Sequence, residues 1–184
     1  MIRVRDDDVI LPSSGHPDPF ARLVRVHDII AGSGALHVPA ILCGEIRHFP
    51  GAVEYVRQKT LEGEMEPQIH GWGHFPYHDY TEDRIVKHLV LCLDWFASEL
   101  NVVPSKFYTP WGGNGPQMQA AVKRVGLELV DCSEIVVCRH IQRAPEKWRG
   151  FAHKSEEDLE LFIHWWEGMN RLIGALGILH DMET

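Results

Sequence analysis

Residues 68–74 read Gln68-Ile69-His70-Gly71-Trp72-Gly73-His74, and after a short polar-aromatic stretch the chain continues as Thr81-Glu82-Asp83-Arg84-Ile85-Val86-Lys87-His88-Leu89-Val90-Leu91-Cys92-Leu93-Asp94-Trp95-Phe96. Gln68 to Gly71 predicts a short strand. Thr81 stands where a cap belongs. Ile85, Leu89, Leu93 and Phe96 recur about once per turn, so one face of a long helix is apolar. A strand, a loop with two histidines and a helix thus follow one another, which is one unit of an alternating β/α chain.

The same alternation extends both ways. Upstream, Ile2 to Val9 reads as a strand ending in acids. Asp18 and Pro19 open a helix with Leu23, Val26 and Ile30 on its apolar stripe and Gly32 near its end. Leu36 to Cys43 predicts a second strand, and Pro50 opens a helix to about Lys59. Downstream, Lys106 to Thr109, Leu127 to Val130, Ile135 to Cys138 and Leu159 to Trp166 predict further strands. Gln117 to Val125 and Met169 to Leu176 predict helices. Such order implies a mainly parallel sheet with helices outside, and an α/β barrel, closed or incomplete, fits best. Chemistry then gathers at the C-terminal strand ends, where Asp7, Asp8, His70, Trp111, Asp131 and His164 fall.

Composition narrows the class. The 184 residues fit one domain, 1–184, and 45% apolar residues with six Trp exclude a disordered chain. A net charge of −8 argues against nucleic acid or an anionic membrane surface as main partner. No run of about 18 apolar residues exists, so no membrane segment is expected. Met1-Ile2-Arg3-Val4 leads straight into a strand pattern with no signal segment, and the expectation is a cytoplasmic protein. Cys43, Cys92, Cys132 and Cys138 form no CxxC pair and read as reduced, mostly buried thiols. Histidine is the outlier, with twelve in the chain.

Four stretches can carry chemistry. Asp6-Asp7-Asp8 places three acids at a strand end, where they either face solvent or meet a cation. His70 and His74 can reach one ion, although Gly71 and Gly73 favour a loop over the helix of an HExxH site. Phe107-Tyr108-Thr109-Pro110-Trp111-Gly112-Gly113 is a strand ending in a sharp turn that can aim a backbone N–H at an oxyanion. Leu161-Phe162-Ile163-His164-Trp165-Trp166 sets a histidine in an apolar strand, as core residue or as general acid. Its two tryptophans either pack the core or stack on a sugar.

Taken in order, these stretches resemble the polysaccharide deacetylase family, also called the NodB homology domain or carbohydrate esterase family 4. The resemblance spans nearly the whole chain and is most specific from His70 to Gly112. It implies an incomplete (β/α)7, TIM-like barrel and a metal-dependent hydrolase that removes N- or O-acetyl groups from a sugar or glycan. It implies Asp7 as general base and Asp8, His70 and His74 as metal ligands, with Asp6 leaving the register of the pair open by one. Zinc is the expected ion, with cobalt, nickel or manganese as alternatives. The Trp111 N–H is implied as oxyanion donor and His164 as general acid, His164 being preferred to His180. Tyr108, Trp72 and Trp165 are the expected substrate contacts. One departure stands out: Tyr108 occupies the position of the family arginine that holds the base. Arg139 and Arg143 are candidates to replace it. A non-catalytic carbohydrate-binding or scaffold relative is the alternative this departure raises. A non-haem iron oxygenase would share the ligand set but not the β/α order.

Overall fold

The structure, a computed structural model, describes residues 2–10, 18–130, 159–164 and 176, with only the backbone for Ile2 and 159–164. The described elements run β1 (Ile2–Val9), α1 (Pro19–Gly32), β2 (Leu36–Leu42), α2 (Cys43–Ile46), α3 (Pro50–Leu61), β3 (Gln68–Gly71), α4 (Glu82–Trp95), β4 (Lys106–Tyr108), α5 (Pro116–Arg124), β5 (Glu128–Val130) and β6 (Leu159–His164). The strands form one sheet in the order β5-β4-β3-β2-β1-β6, and every pairing is parallel. The expected strand Ile135–Cys138 and the expected helix from Met169 lie outside the described residues, apart from Leu176.

Local chemistry explains most boundaries. Asp18 caps α1, its Oδ1 accepting from the Ala21 N–H at 2.9 Å, and Pro19 sits at the first helical position. Thr81 does occupy the cap position of α4, but its side chain makes no capping hydrogen bond. The buried face of α4 is Ile85, Leu89, Cys92 and Trp95; Leu93 is only half-buried. Past Trp95 the helix widens into a π-type turn, Phe96–Leu100, and this shifts the stripe off strict helical spacing. The second strand stops at Leu42 because Cys43 begins the short α2.

Strand β2 is buried along nearly all its length, as expected of a parallel strand covered on both faces. One face packs on the helices, in a core that includes Leu23, Ile41, Val56, Ile69, Leu89 and Val122. The other carries Val38 and Ala40 against Tyr108. Tyr108 is on β4, and its ring lies 4.1 Å from the Arg5 guanidinium carbon of β1. With two strands between them, β1 and β4 would stand roughly 14 Å apart in a flat sheet. The sheet therefore curls toward a barrel, with Arg5 and Tyr108 meeting across its interior. Among the described residues the barrel is partial.

Candidate metal centre

Strand β1 carries an irregularity at its acidic end. Its register with β2 shifts between Asp6 and Val9, and Asp8 has a left-handed φ of 62°. A bulge of this kind breaks the strict in-out alternation. Asp6 points to the helix side, its Oδ2 lying 3.9 Å from His37 Nε2. Asp7 and Asp8 both turn into the barrel mouth and are all but inaccessible to solvent. The three consecutive acids therefore do not share one environment.

Asp8 Oδ1 lies 3.0 Å from His70 Nε2 and 2.9 Å from His74 Nε2. Burial raises the Asp8 carboxyl, but hydrogen bonds and charge from the two imidazoles outweigh it and hold the group well below the usual carboxylate range. For His70 burial acts downward and is outweighed by the Asp7 and Asp8 carboxylates, so its pKa is raised. His70 Nδ1 is 2.7 Å from the Tyr108 carbonyl oxygen. A carbonyl can only accept, so Nδ1 carries the proton and donates. In the neutral ring the Nε2 lone pair then faces a carboxylate oxygen at 3.0 Å, and either a proton or a bound cation has to lie between these two acceptors. Candidate ligand atoms of Asp8, His70 and His74 all lie within 4.8 Å of one another. Two imidazoles and a carboxylate, with a backbone acceptor fixing one ring, are a donor set that fits a zinc-like divalent ion.

The loop between the histidines is held from below. Gly71 has φ 141°, and a Cβ there would stand 2.9 Å from the Tyr77 hydroxyl. That hydroxyl accepts from the Trp72 N–H at 3.1 Å. The Trp72 carbonyl accepts from the Gly44 N–H at 2.7 Å, tying the loop to α2. Trp72, expected at the substrate, packs here on Gly44 and lines a cavity of about 480 Å³ with Arg47, Val53, Arg57 and Trp95. None of the three ligand candidates borders that cavity.

Asp7 is gripped by a residue the sequence reading passed over. Arg5 Nε donates to Oδ1 and Nη2 to Oδ2, both at 2.7 Å. The signal was available: Arg5 and Asp7 are two apart on a strand, hence on one face. Tyr108, expected to touch substrate, is completely buried beneath Arg5 and serves the site from inside the barrel. Arg139, Arg143, Asp131, Trp165 and His180 lie outside the described residues.

Trp111 follows β4 in a short 3₁₀ turn, Pro110–Gly112, with φ 61° and ψ 13°. Its side chain is 69% exposed, and its ring packs 4.9 Å from that of His74. The backbone of His164 stands beside Asp7 in the β1–β6 ladder.

No family model and no curated protein matches the sequence. Solved structures do match. A family 4 carbohydrate esterase from Streptomyces lividans, solved with acetate, superposes with a TM-score of 0.69 at 12% identity, over 98% of this chain and 88% of that one. A polysaccharide deacetylase from Bacillus cereus gives 0.66 at 13%, over 99% and 87%. A family 4 pseudoenzyme from Bacillus anthracis gives 0.68 at 11%, over all of this chain and 60% of that one. At such identities the likeness is one of fold: the chain has the partial α/β barrel of the carbohydrate esterases of family 4.

Proposed function

We propose that the protein is a metal-dependent hydrolase that removes acetyl groups from a carbohydrate. The observation that carries this reading is the meeting of Asp8 Oδ1 with His70 and His74 Nε2 beside Asp7, in a fold shared with carbohydrate esterases. Asp8, His70 and His74 would hold the ion. Its contribution is polarisation of the acetyl carbonyl and acidification of water.

The remaining steps belong to the chain. The Asp7 carboxylate takes the proton of the attacking water; its oxygens accept from Arg5 and keep further lone pairs for that purpose. The Trp111 N–H donates to the oxyanion that develops. His164, beside Asp7 in the ladder, protonates the leaving amine or alcohol. The exposed Trp111 ring gives a sugar a face to stack on.

Acetate release from acetylated xylo-oligosaccharides and from N-acetylglucosamine oligomers, with zinc supplied, tests the reading. His164→Ala should cut turnover by about 10²–10⁴ with zinc still bound. Stoichiometric zinc with no acetate from the wild type would favour the non-catalytic carbohydrate-binding role instead, and near-wild-type turnover of His164→Ala would remove His164 from the mechanism.

A further inference from the structure

Proton abstraction requires that the Asp7 carboxylate be held in one orientation. The sequence resemblance implies an arginine for that task at the position filled by Tyr108. Here the guanidinium comes instead from β1. We infer that Arg5 is the positioning residue of Asp7 and that Tyr108 is the platform that positions Arg5, an inference resting on the deacetylase reading.

The geometry is specific. The two N–H bonds of Arg5 address the two carboxylate oxygens separately, at 2.7 Å each. A paired fork of this kind fixes both the distance and the plane of the carboxylate, which one point charge cannot do. The Tyr108 ring supports the guanidinium from one face at 4.1 Å. Arg5 and Tyr108 are completely buried and Asp7 is 2% exposed, so the assembly is shielded from competing water.

A buried ion pair is a poor device for stability alone, since its desolvation cost is only offset by good geometry. A fork closed on the acid next to the candidate ligand Asp8 does have a use in proton transfer. Tyr108 also acts twice: its ring supports Arg5, and its carbonyl accepts from His70 Nδ1. One residue of β4 thereby sets base and metal ligand relative to each other.

The test compares Arg5→Leu, Arg5→Lys, Tyr108→Leu and the double variant Arg5→Leu/Tyr108→Arg. Acetate release from acetylated xylo-oligosaccharides gives kcat and KM; calorimetric titration with zinc gives metal affinity. Arg5→Leu should lose about 100-fold in kcat, with KM and zinc affinity within about threefold. Arg5→Lys keeps the charge but not the fork, so it should fold and still lose at least about tenfold. Tyr108→Leu should lower kcat in the same direction. The double variant returns a guanidinium from the other strand and should recover part of what Arg5→Leu loses. Wild-type kcat in Arg5→Lys and Arg5→Leu would overturn the positioning role alone. So would a loss of zinc affinity parallel to the loss of kcat, which marks a structural role. A wild type inactive on every acetylated substrate would overturn the deacetylase reading and this inference together.

Discussion

The backbone N–H of Gly44 donates to the carbonyl of Trp72 at 2.7 Å, a bond that ties α2 to the loop that carries both histidines. A Cβ at Gly44 would lie 2.4 Å from the same carbonyl oxygen. Gly44→Ala should therefore destabilise the fold by about 1–3 kcal/mol. It should also weaken zinc binding although no ligand is touched, because His70 and His74 are displaced together. Denaturant unfolding and zinc titration check both. Unchanged zinc affinity would show that the loop holds its shape without α2.

Zinc should stabilise the folded chain by mass action. At about 100 times its dissociation constant the gain is about 2.7 kcal/mol, which for a chain of this size raises Tm by roughly 5–10 °C. Asp8→Asn and His74→Ala should abolish the rise, and a chelator should reverse it in the wild type. Thermal melts with and without zinc are sufficient. A full rise in Asp8→Asn would place the ion elsewhere.

Trp111 combines a left-handed backbone with an exposed side chain. A bulky residue in that conformation costs roughly 1–3 kcal/mol. Trp111→Gly should leave Tm unchanged or higher, while KM for an oligosaccharide rises as the stacking face is lost. Trp111→Phe should keep most of the affinity. If Trp111→Gly bound substrate as well as the wild type, the ring would have no part in recognition.

Acid should unfold the protein through a cluster outside the site. His37 is fully buried between β2 and α1, and burial pushes its pKa down to about 3. Asp6 of β1 lies 3.9 Å away, beyond hydrogen-bond reach, and the His27 ring of α1 stacks on it at 5.6 Å. Arg22 interacts with Asp6, and Tyr55, Lys59 and Glu64 complete the surroundings of His27. His27 is also lowered, first by burial, with Glu64 opposing. Both histidines titrate lower folded than unfolded, so below pH about 6.5 the unfolded chain binds more protons. The stability they confer is complete above that pH and is lost as pH falls, for His37 down to about 3, by up to about 1.4 kcal/mol per unit for each proton. His37→Leu should flatten the dependence relative to wild type. Parallel curves for the two proteins from pH 7.5 to 5 would remove His37 as a cause.

Much of this was legible because periodicity reports burial. The limits of β1, β3 and α1 follow from alternation, from a Pro and from an Asp cap. The short α2 and the π-type turn after Trp95 were not legible, since four or five residues carry no period. At the site, Asp8, His70 and His74 were recoverable from type and spacing and do converge. Arg5 stands outside the motif, on β1 two residues before Asp7, so its role shows only once its guanidinium is seen closed on that carboxylate. The Arg5–Tyr108 contact depends on sheet curvature, which no local pattern encodes. Trp72 was placed by letter beside its histidines, while its ring is committed by packing on Gly44.

The bulge in β1 has a consequence for anyone comparing this chain with others. Asp6, Asp7 and Asp8 are the same letter three times, yet one sits under a helix, one in the grip of Arg5 and one between two imidazoles. Loss of a single codon anywhere in the run would leave Asp-Asp in the written sequence. It would also remove the extra residue that lets neighbouring positions face the same way. The surviving pair would look intact to an aligner and be taken apart in space, so the length of the run, as much as its composition, is what inheritance has to preserve.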